Sequence, residues 1–270
     1  MKYNKLFGML VIFAFLLLPA ITMVAGQSDV SVRGKPEKPG KPPKDDPPVE
    51  DPPVDPPATG DGVVRKFAVV IGISDYASDA NDLTYCDDDA YDWKNYLQGE
   101  GYSVTLLLNR QATASAILNA LDDLAAAEDG DDIVAITYSG HGYYSRTYRE
   151  SGWVSTDEYL VLSSQVAAIT DTFESQAIFM FHDCCNAGTF SDCNRAGMVN
   201  VVGSTTRTYT YDGTAEMSNG ILTYYAIHVA IEVDGFVTAE DIGNRAIQLF
   251  EANTPGNGIV YDNFSGALDL

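Results

Sequence analysis

Basic residues are scarce in the part of this chain that can fold. Residues 61–270 hold 9 lysines and arginines against 31 aspartates and glutamates, whereas residues 1–60 hold 7 of each sign. The whole formal charge of −22 therefore falls on the C-terminal part. Such a surface repels phosphates, which excludes nucleic acid and anionic membranes as partners. It suits cationic substrates, divalent cations or a saline habitat, and it equally suits a merely soluble acidic surface.

Cysteine is also sparse. Cys86, Cys184, Cys185 and Cys193 are too few and too clustered for a disulfide scaffold. No spaced Cys/His pattern points to zinc. A Cys184–Cys193 pair, a Cys86–Cys184 pair and four packed thiols all stay open. Internal repeats are absent, so the order of elements carries the fold argument. Proline is nearly confined to residues 35–58, "KPEKPGKPPKDDPPVEDPPVDPPA". Lacking amide hydrogens, that stretch is expected to be an extended spacer.

Three regions follow. Residues 1–26 carry Lys2 and Lys5, an apolar run from Leu6 to Val24, then Ala25 and Gly26. This is the layout of a secretory signal, with cleavage expected near Gly26–Gln27. An uncleaved membrane anchor is the rival, but Pro19 and the small residues favour cleavage, and no cysteine offers a lipid anchor. The protein is expected outside the cell or at its surface. Residues 27–60 form the linker or propeptide. Residues 61–270 form one domain, long enough for a sizeable core.

Within that domain, strands are expected at 65–73, 102–108, 132–138, 177–181 and 198–204. Helices are expected at 88–98, 113–128, 219–232 and 238–251. In the second helix Ile117, Leu121 and Leu124 share a face, and Thr113 is a good cap. The strand runs are continuously apolar rather than alternating, which indicates a mostly parallel sheet buried on both faces. Ligands bind such sheets beyond the carboxyl ends of the strands. Two runs stop there at chemically active residues: "DIVAITYSGHG" at His141 and "AIFMFHDCCNAG" at Cys184 and Cys185.

The segments "VVIGISDY" (69–76), "LTYCDDDA" (83–90), "TYSGHG" (137–142), "TDEYLV" (156–161) and "HDCCNAG" (182–188) occur in this order. "NGILTYYAI" (219–227), "DGFVTAEDI" (234–242) and "YDNFSGALDL" (261–270) follow them. In these motifs the chain resembles the caspase-like cysteine peptidases, above all their metacaspase-like archaeal and bacterial members. The resemblance implies a three-layer α/β/α sandwich with a mostly parallel central sheet of about six strands. It also implies a cysteine endopeptidase in which Cys185 is the nucleophile and His141 its partner. The amides of Gly142 and Cys185 would form the oxyanion hole.

Specificity follows from the same resemblance. Caspases that cut after aspartate use arginines, yet "ISDYASDANDLTYCDDDAYDW" (73–93) has no basic residue. The metacaspase-like pattern matches Cys86, Asp89, Ser139 and Asp183, which implies cleavage after Arg or Lys. Asp89 also reads as a plain helix N-terminal acid. Calcium activation is a further expectation, with Asp157, Asp171 and Asp192 as ligands; the chemistry itself needs no cofactor. Self-cleavage is expected at Arg146 or Arg149. His182 is read as packing at a strand end and His228 as a satisfied core or boundary histidine.

The segment between 169–173 and 177–181 is too short for the helix that the family places there, so a loop is expected to cross over. Two other functions compete: an inactive exported binding protein on the same fold, and an asparagine-specific legumain-like enzyme. Partners are expected to be peptides or proteins with basic residues, and the chain a monomer.

Overall fold

A computed structural model describes residues 60–270. The expected leader over 1–26, and the linker over 27–60 except its last residue, lie outside the described residues. No described helix is long and apolar enough to cross a membrane.

Five parallel strands carry the core. They are β1 (Lys66–Gly72), β2 (Ser103–Leu108), β3 (Ile133–Ser139), β7 (Ile178–Asp183) and β8 (Met198–Val202). A sixth, β9 (Ile259–Asp262), pairs antiparallel with β8 and closes that edge. The spatial order is β2-β1-β3-β7-β8-β9. Successive residues of β1 face opposite cores: Val69 and Ile71 one, Ala68 and Val70 the other. That is why the strand reads as an unbroken apolar run.

Helices cover both faces. On one side lie α2 (Ala114–Ala127) and α3 (Ser163–Thr170), packed through Ile117, Leu121, Leu124 and Val166. Thr113 caps α2 by accepting from the Ala116 amide, as its sequence predicts. On the other lie α1 (Cys86–Gly99), α4 (Ile221–Tyr224) and α5 (Ala239–Asn253), packed through Trp93, Leu97, Leu222, Ile242 and Phe250. Past Tyr224, α4 widens into a π-helical segment, Tyr225–Ile231. The mostly parallel six-strand sheet between helices agrees with the expected fold class.

Three elements depart from the sequence reading. A small antiparallel sheet of β4 (Gly142–Ser145), β5 (Glu150–Val154) and β6 (Leu160–Leu162) follows the histidine. Its strands are too short for periodicity to reveal. The edge strand β9 is likewise only four residues long and half open to solvent. The crossover into β7 does contain a helix. It is α3, formed from "SSQVAAIT" and ending at Thr170 within 169–173, rather than inserted after that stretch. The Arg195 guanidinium donates to the carbonyls of Thr170 and Phe173, tying down the tight turn that remains.

Trp153 on β5 joins the small sheet to the large one. Its ring stacks between Tyr138 and Phe190, with centroids 4.8 and 4.9 Å away. Its Nε1–H donates to Nδ1 of the buried His182 at 3.2 Å. His182 therefore packs inside the end of β7 as a neutral ring, and burial pushes its pKa down to about 3. Trp153→Ala is expected to cost about 3–5 kcal/mol in urea unfolding. Trp153→Phe keeps the stack but strands a buried imidazole nitrogen, and is expected to cost about 1–3 kcal/mol.

Candidate active site

The parallel pairing of β3 with β7 sets Ser139 opposite Asp183. Two residues further along each chain stand His141 and Cys185. The shared rim of two adjacent strands thus delivers both groups to one cleft. That cleft holds about 210 Å³ and is lined by Cys86, Ser139, His141, Asp183, Cys185 and Asp212, among others.

His141 is held through its backbone and through Nε2. Its amide donates to the Tyr76 hydroxyl at 2.8 Å, and its carbonyl accepts from the Val154 amide at 2.9 Å. Its ring lies 4.9 Å from that of Tyr76. Nε2 lies 2.9 Å from the Asn81 carbonyl, which can only accept. Nε2 therefore carries a hydrogen, and in the neutral ring Nδ1 is the basic nitrogen. Burial lowers the pKa of His141, against smaller opposing effects from Asn81 and Asp212.

The Cys185 thiol donates to the Thr210 carbonyl at 3.6 Å, and burial pushes its pKa up to about 11. No direct hydrogen bond joins it to His141; the resting pair is a thiol and a neutral imidazole facing one cavity. Asn186, next in the chain, turns through a left-handed conformation (φ 54°) that asparagine tolerates. Its side-chain amide donates to the Gly142 carbonyl at 3.2 Å, locking the two strand ends together. A side chain at Gly142 would collide with the Cys185 carbonyl oxygen, so only glycine lets the two backbones pass.

The expected pocket residues do converge, in two layers. Asp183 lines the cleft, its Oδ2 accepting from the amide and hydroxyl of Thr223 at 3.0 and 2.9 Å. Asp89 lies one layer deeper, fully buried, beneath Ser139 and Gly220. It accepts from Ser139 Oγ at 2.6 Å, the Gly220 amide at 2.9 Å and Asn219 Nδ2 at 3.0 Å. A Cβ on Gly220 would stand 2.6 and 2.8 Å from carboxylate oxygens of Asp183 and Asp89, so the two acids meet behind that glycine. Desolvation raises Asp183 to about 6; desolvation, then the neighbouring Asp183 charge, drives Asp89 well above the carboxylate range. Asp89 is also a first-turn acid of α1, but a solvated capping acid would not be buried.

Asp212 was not foreseen. It sits at the rim on a narrow hairpin in which it pairs with Gly220. It accepts from the Thr84 amide at 3.2 Å, and the Cys86 sulfur lies 4.0 Å from its Oδ1. No periodic pattern marks this residue, because it lies on an isolated bridge outside the named strands and its Thr84 partner is far from it in sequence. Asn81, Tyr76 and Asn219 were missed because their partners are likewise far away in sequence.

Among the described residues, Asp157, Asp171 and Asp192, expected to hold calcium, do not form one cluster of ligand atoms. Asp157 Oδ1 already accepts from the Ala114 amide and the Ser155 hydroxyl at the start of α2. Among the described residues the acids whose ligand atoms cluster are Asp61, Asp129 and Asp131. The four cysteines are free thiols; Cys86, Cys184 and Cys193 are buried and Cys185 is partly open.

Fold and site together define an α/β protein with a thiol and an imidazole at the carboxyl rim of a parallel sheet, the arrangement of a cysteine-peptidase-like hydrolase. The caspase domain family matches residues 65–242, and the chain belongs to that family, which implies a cysteine-type peptidase. Among solved structures it is similar to protein GSU0716 from Geobacter sulfurreducens. The TM-score is 0.61 at 15% identity, covering 76% of this chain and 97% of that one, a likeness of fold alone. No curated protein matches the chain.

Native alkylation with iodoacetamide, read by mass spectrometry, is expected to label Cys185 and spare the other three cysteines. Because the thiol is pushed up, its rate should rise about tenfold per pH unit from pH 7 to 9. A plateau below pH 8 would instead mean a preformed thiolate–imidazolium pair.

Proposed function

We propose that this protein is an exported cysteine endopeptidase that hydrolyses peptide bonds after arginine or lysine. The observation that carries the reading is the anionic cleft. Asp183 and Asp212 line it, Asp89 backs it, and among the described residues no lysine or arginine lines it. Buried carboxylates repel each other in a poorly solvated site, and an entering guanidinium or ammonium relieves that cost. An acidic side chain would add to it.

With substrate seated, the Cys185 sulfur attacks the scissile carbonyl carbon as its proton passes to His141 Nδ1. The Asn81 carbonyl, accepting from Nε2–H, stabilises the imidazolium that forms. The amides of Gly142 and Cys185 receive the oxyanion. Nδ1–H then protonates the departing amine as the C–N bond breaks, leaving a thioester. Water, giving a proton back to Nδ1, attacks the thioester and releases acid and thiol. The exposed turn 146–149, with Arg146 and Arg149, offers the enzyme a substrate in its own chain.

Fluorogenic peptides ending in arginine or lysine are expected to be cleaved at least tenfold faster than those ending in aspartate or asparagine; the reverse order would refute the reading. Cys185→Ala should abolish turnover, and His141→Ala should lower kcat by about 10²–10⁴. Asp183→Asn should raise KM more than it lowers kcat.

A pH dependence follows too. Asp183 titrates near 6 when folded, above its unfolded value, so the unliganded protein loses stability as pH rises through that window. The ionised form binds a cation, so KM for an arginyl peptide should fall as pH rises through 6. Agmatine should accordingly raise Tm more at pH 7.5 than at pH 5.

A further inference from the structure

His228 lies outside the cleft, yet a continuous chain of hydrogen bonds joins it to the pocket. It sits on the π-helical segment after α4, where the Glu232 amide reaches back to the Ile227 carbonyl at 3.0 Å. Its Nδ1 lies 2.9 Å from Glu232 Oε2. Its Nε2 lies 3.0 Å from Asn219 Oδ1 and 3.3 Å from Asp92 Oδ2. The Tyr224 ring, 5.3 Å away, covers one side. Asn219 is 1% exposed. Its Nδ2 donates to Asp89 Oδ1 at 3.0 Å and to Asp92 Oδ2 at 2.9 Å.

These contacts decide the orientation of the amide. Nδ2 has two hydrogens and two carboxylate partners. Turned over, Asn219 would press its own oxygen against both carboxylates. Its Oδ1 therefore faces His228, whose Nε2–H is the donor that satisfies it. A buried amide oxygen left without a donor costs the full desolvation of that atom.

The backbone of Asn219 matters as much. Its carbonyl accepts from the Gly213 amide at 2.9 Å, closing the hairpin that carries Asp212. Its neighbour Gly220 binds Asp89 and abuts Asp183. Asn219 thus holds Asp89 directly and the Asp212 hairpin through its carbonyl, while its neighbour Gly220 stands against Asp183.

We propose that His228 is a positioning residue for the basic-side-chain pocket: through Nε2–H it orients Asn219, which holds Asp89 in place and closes the Asp212 hairpin. The proposal rests on the reading of the cleft as a site for arginine or lysine. Substrate never touches His228, so its loss weakens recognition of the cation and leaves the chemical step at Cys185 in place.

The test compares the wild type with His228→Ala and His228→Gln, using an arginyl peptide for kinetics and agmatine for Tm shifts. His228→Ala is expected to raise KM about tenfold with kcat within twofold, and to shrink the agmatine shift. His228→Gln, which keeps an N–H in reach of Asn219, should recover most of both. An unchanged KM in His228→Ala overturns the proposal. So does a fall in kcat at constant KM, the mark of a smaller folded fraction, or a glutamine variant as impaired as the alanine one.

If His228→Ala does not fold, Glu232→Leu carries the test. It removes the acceptor that orients the ring and should raise KM two- to threefold, and an unchanged KM and agmatine shift overturn the proposal. A wild type that cleaves no arginyl peptide and binds no agmatine refutes the reading of the cleft and this inference with it. A wild type that does both beside an unaffected His228→Ala refutes this inference alone.

Discussion

The register of β3 against β7 is the constraint on which the site depends. The pairing runs from Val134 opposite Ile178 to Ser139 opposite Asp183, with both strands buried on both faces. Side chains alternate along a strand, so a slip of one residue would turn Ser139 and Asp183 away from each other and send His141 and Cys185 to different levels. The core on either face forbids that slip. Phe179 and Phe181 fill one layer with Trp93, while Met180 and Ile178 fill the other. The geometry of the candidate site is a by-product of packing, because the rim inherits its alignment from the hydrophobic residues behind it.

The acidic pocket opposes that packing. Two carboxylates out of water near one another cost free energy whenever both ionise. The fold limits the cost with a dense set of donors: Ser139, Asn219 and the Gly220 amide on Asp89, and two groups of Thr223 on Asp183. Each donor fixes a carboxylate in place, so the acids are held in a defined geometry. The surface contributes little by comparison. Its ion pairs, such as Arg65–Asp61 and Arg110–Asp75, are exposed and weakly stabilising. Stability comes from the two-sided core, and burial of the paired acids is accommodated by raising both carboxyls above their ordinary range.

The main elements were legible in the chain because their signals are local. Continuous apolar runs marked β1, β3, β7 and β8, and the spacing of Ile117, Leu121 and Leu124 marked α2. The strands of the small sheet were not, since three to five residues with glycine and tyrosine among them carry no measurable period. The helix before β7 was sought in the wrong place: α3 ends at Thr170, before the short gap that seemed to exclude it. Asp157, one of the three aspartates expected to hold calcium, is engaged at the start of α2, where it accepts from the Ala114 amide and the Ser155 hydroxyl.

His141, Cys185, Asp183 and Asp89 were each visible as residue types at the ends of recognisable elements. What the linear order could not convey was depth. Asp89 proved to sit behind the cleft wall rather than on it, and Asp212 and Asn219 reached the pocket from a hairpin more than a hundred residues away from Asp89. Sequence by itself determined which segments become the parallel strands and which chemistry stands at their ends, since periodicity and strand ends are properties of neighbours along the chain. Only tertiary structure decided which acids line the cleft, which lie behind it and which nitrogen of His141 is free. Those depend on hydrogen bonds between residues that folding alone makes adjacent.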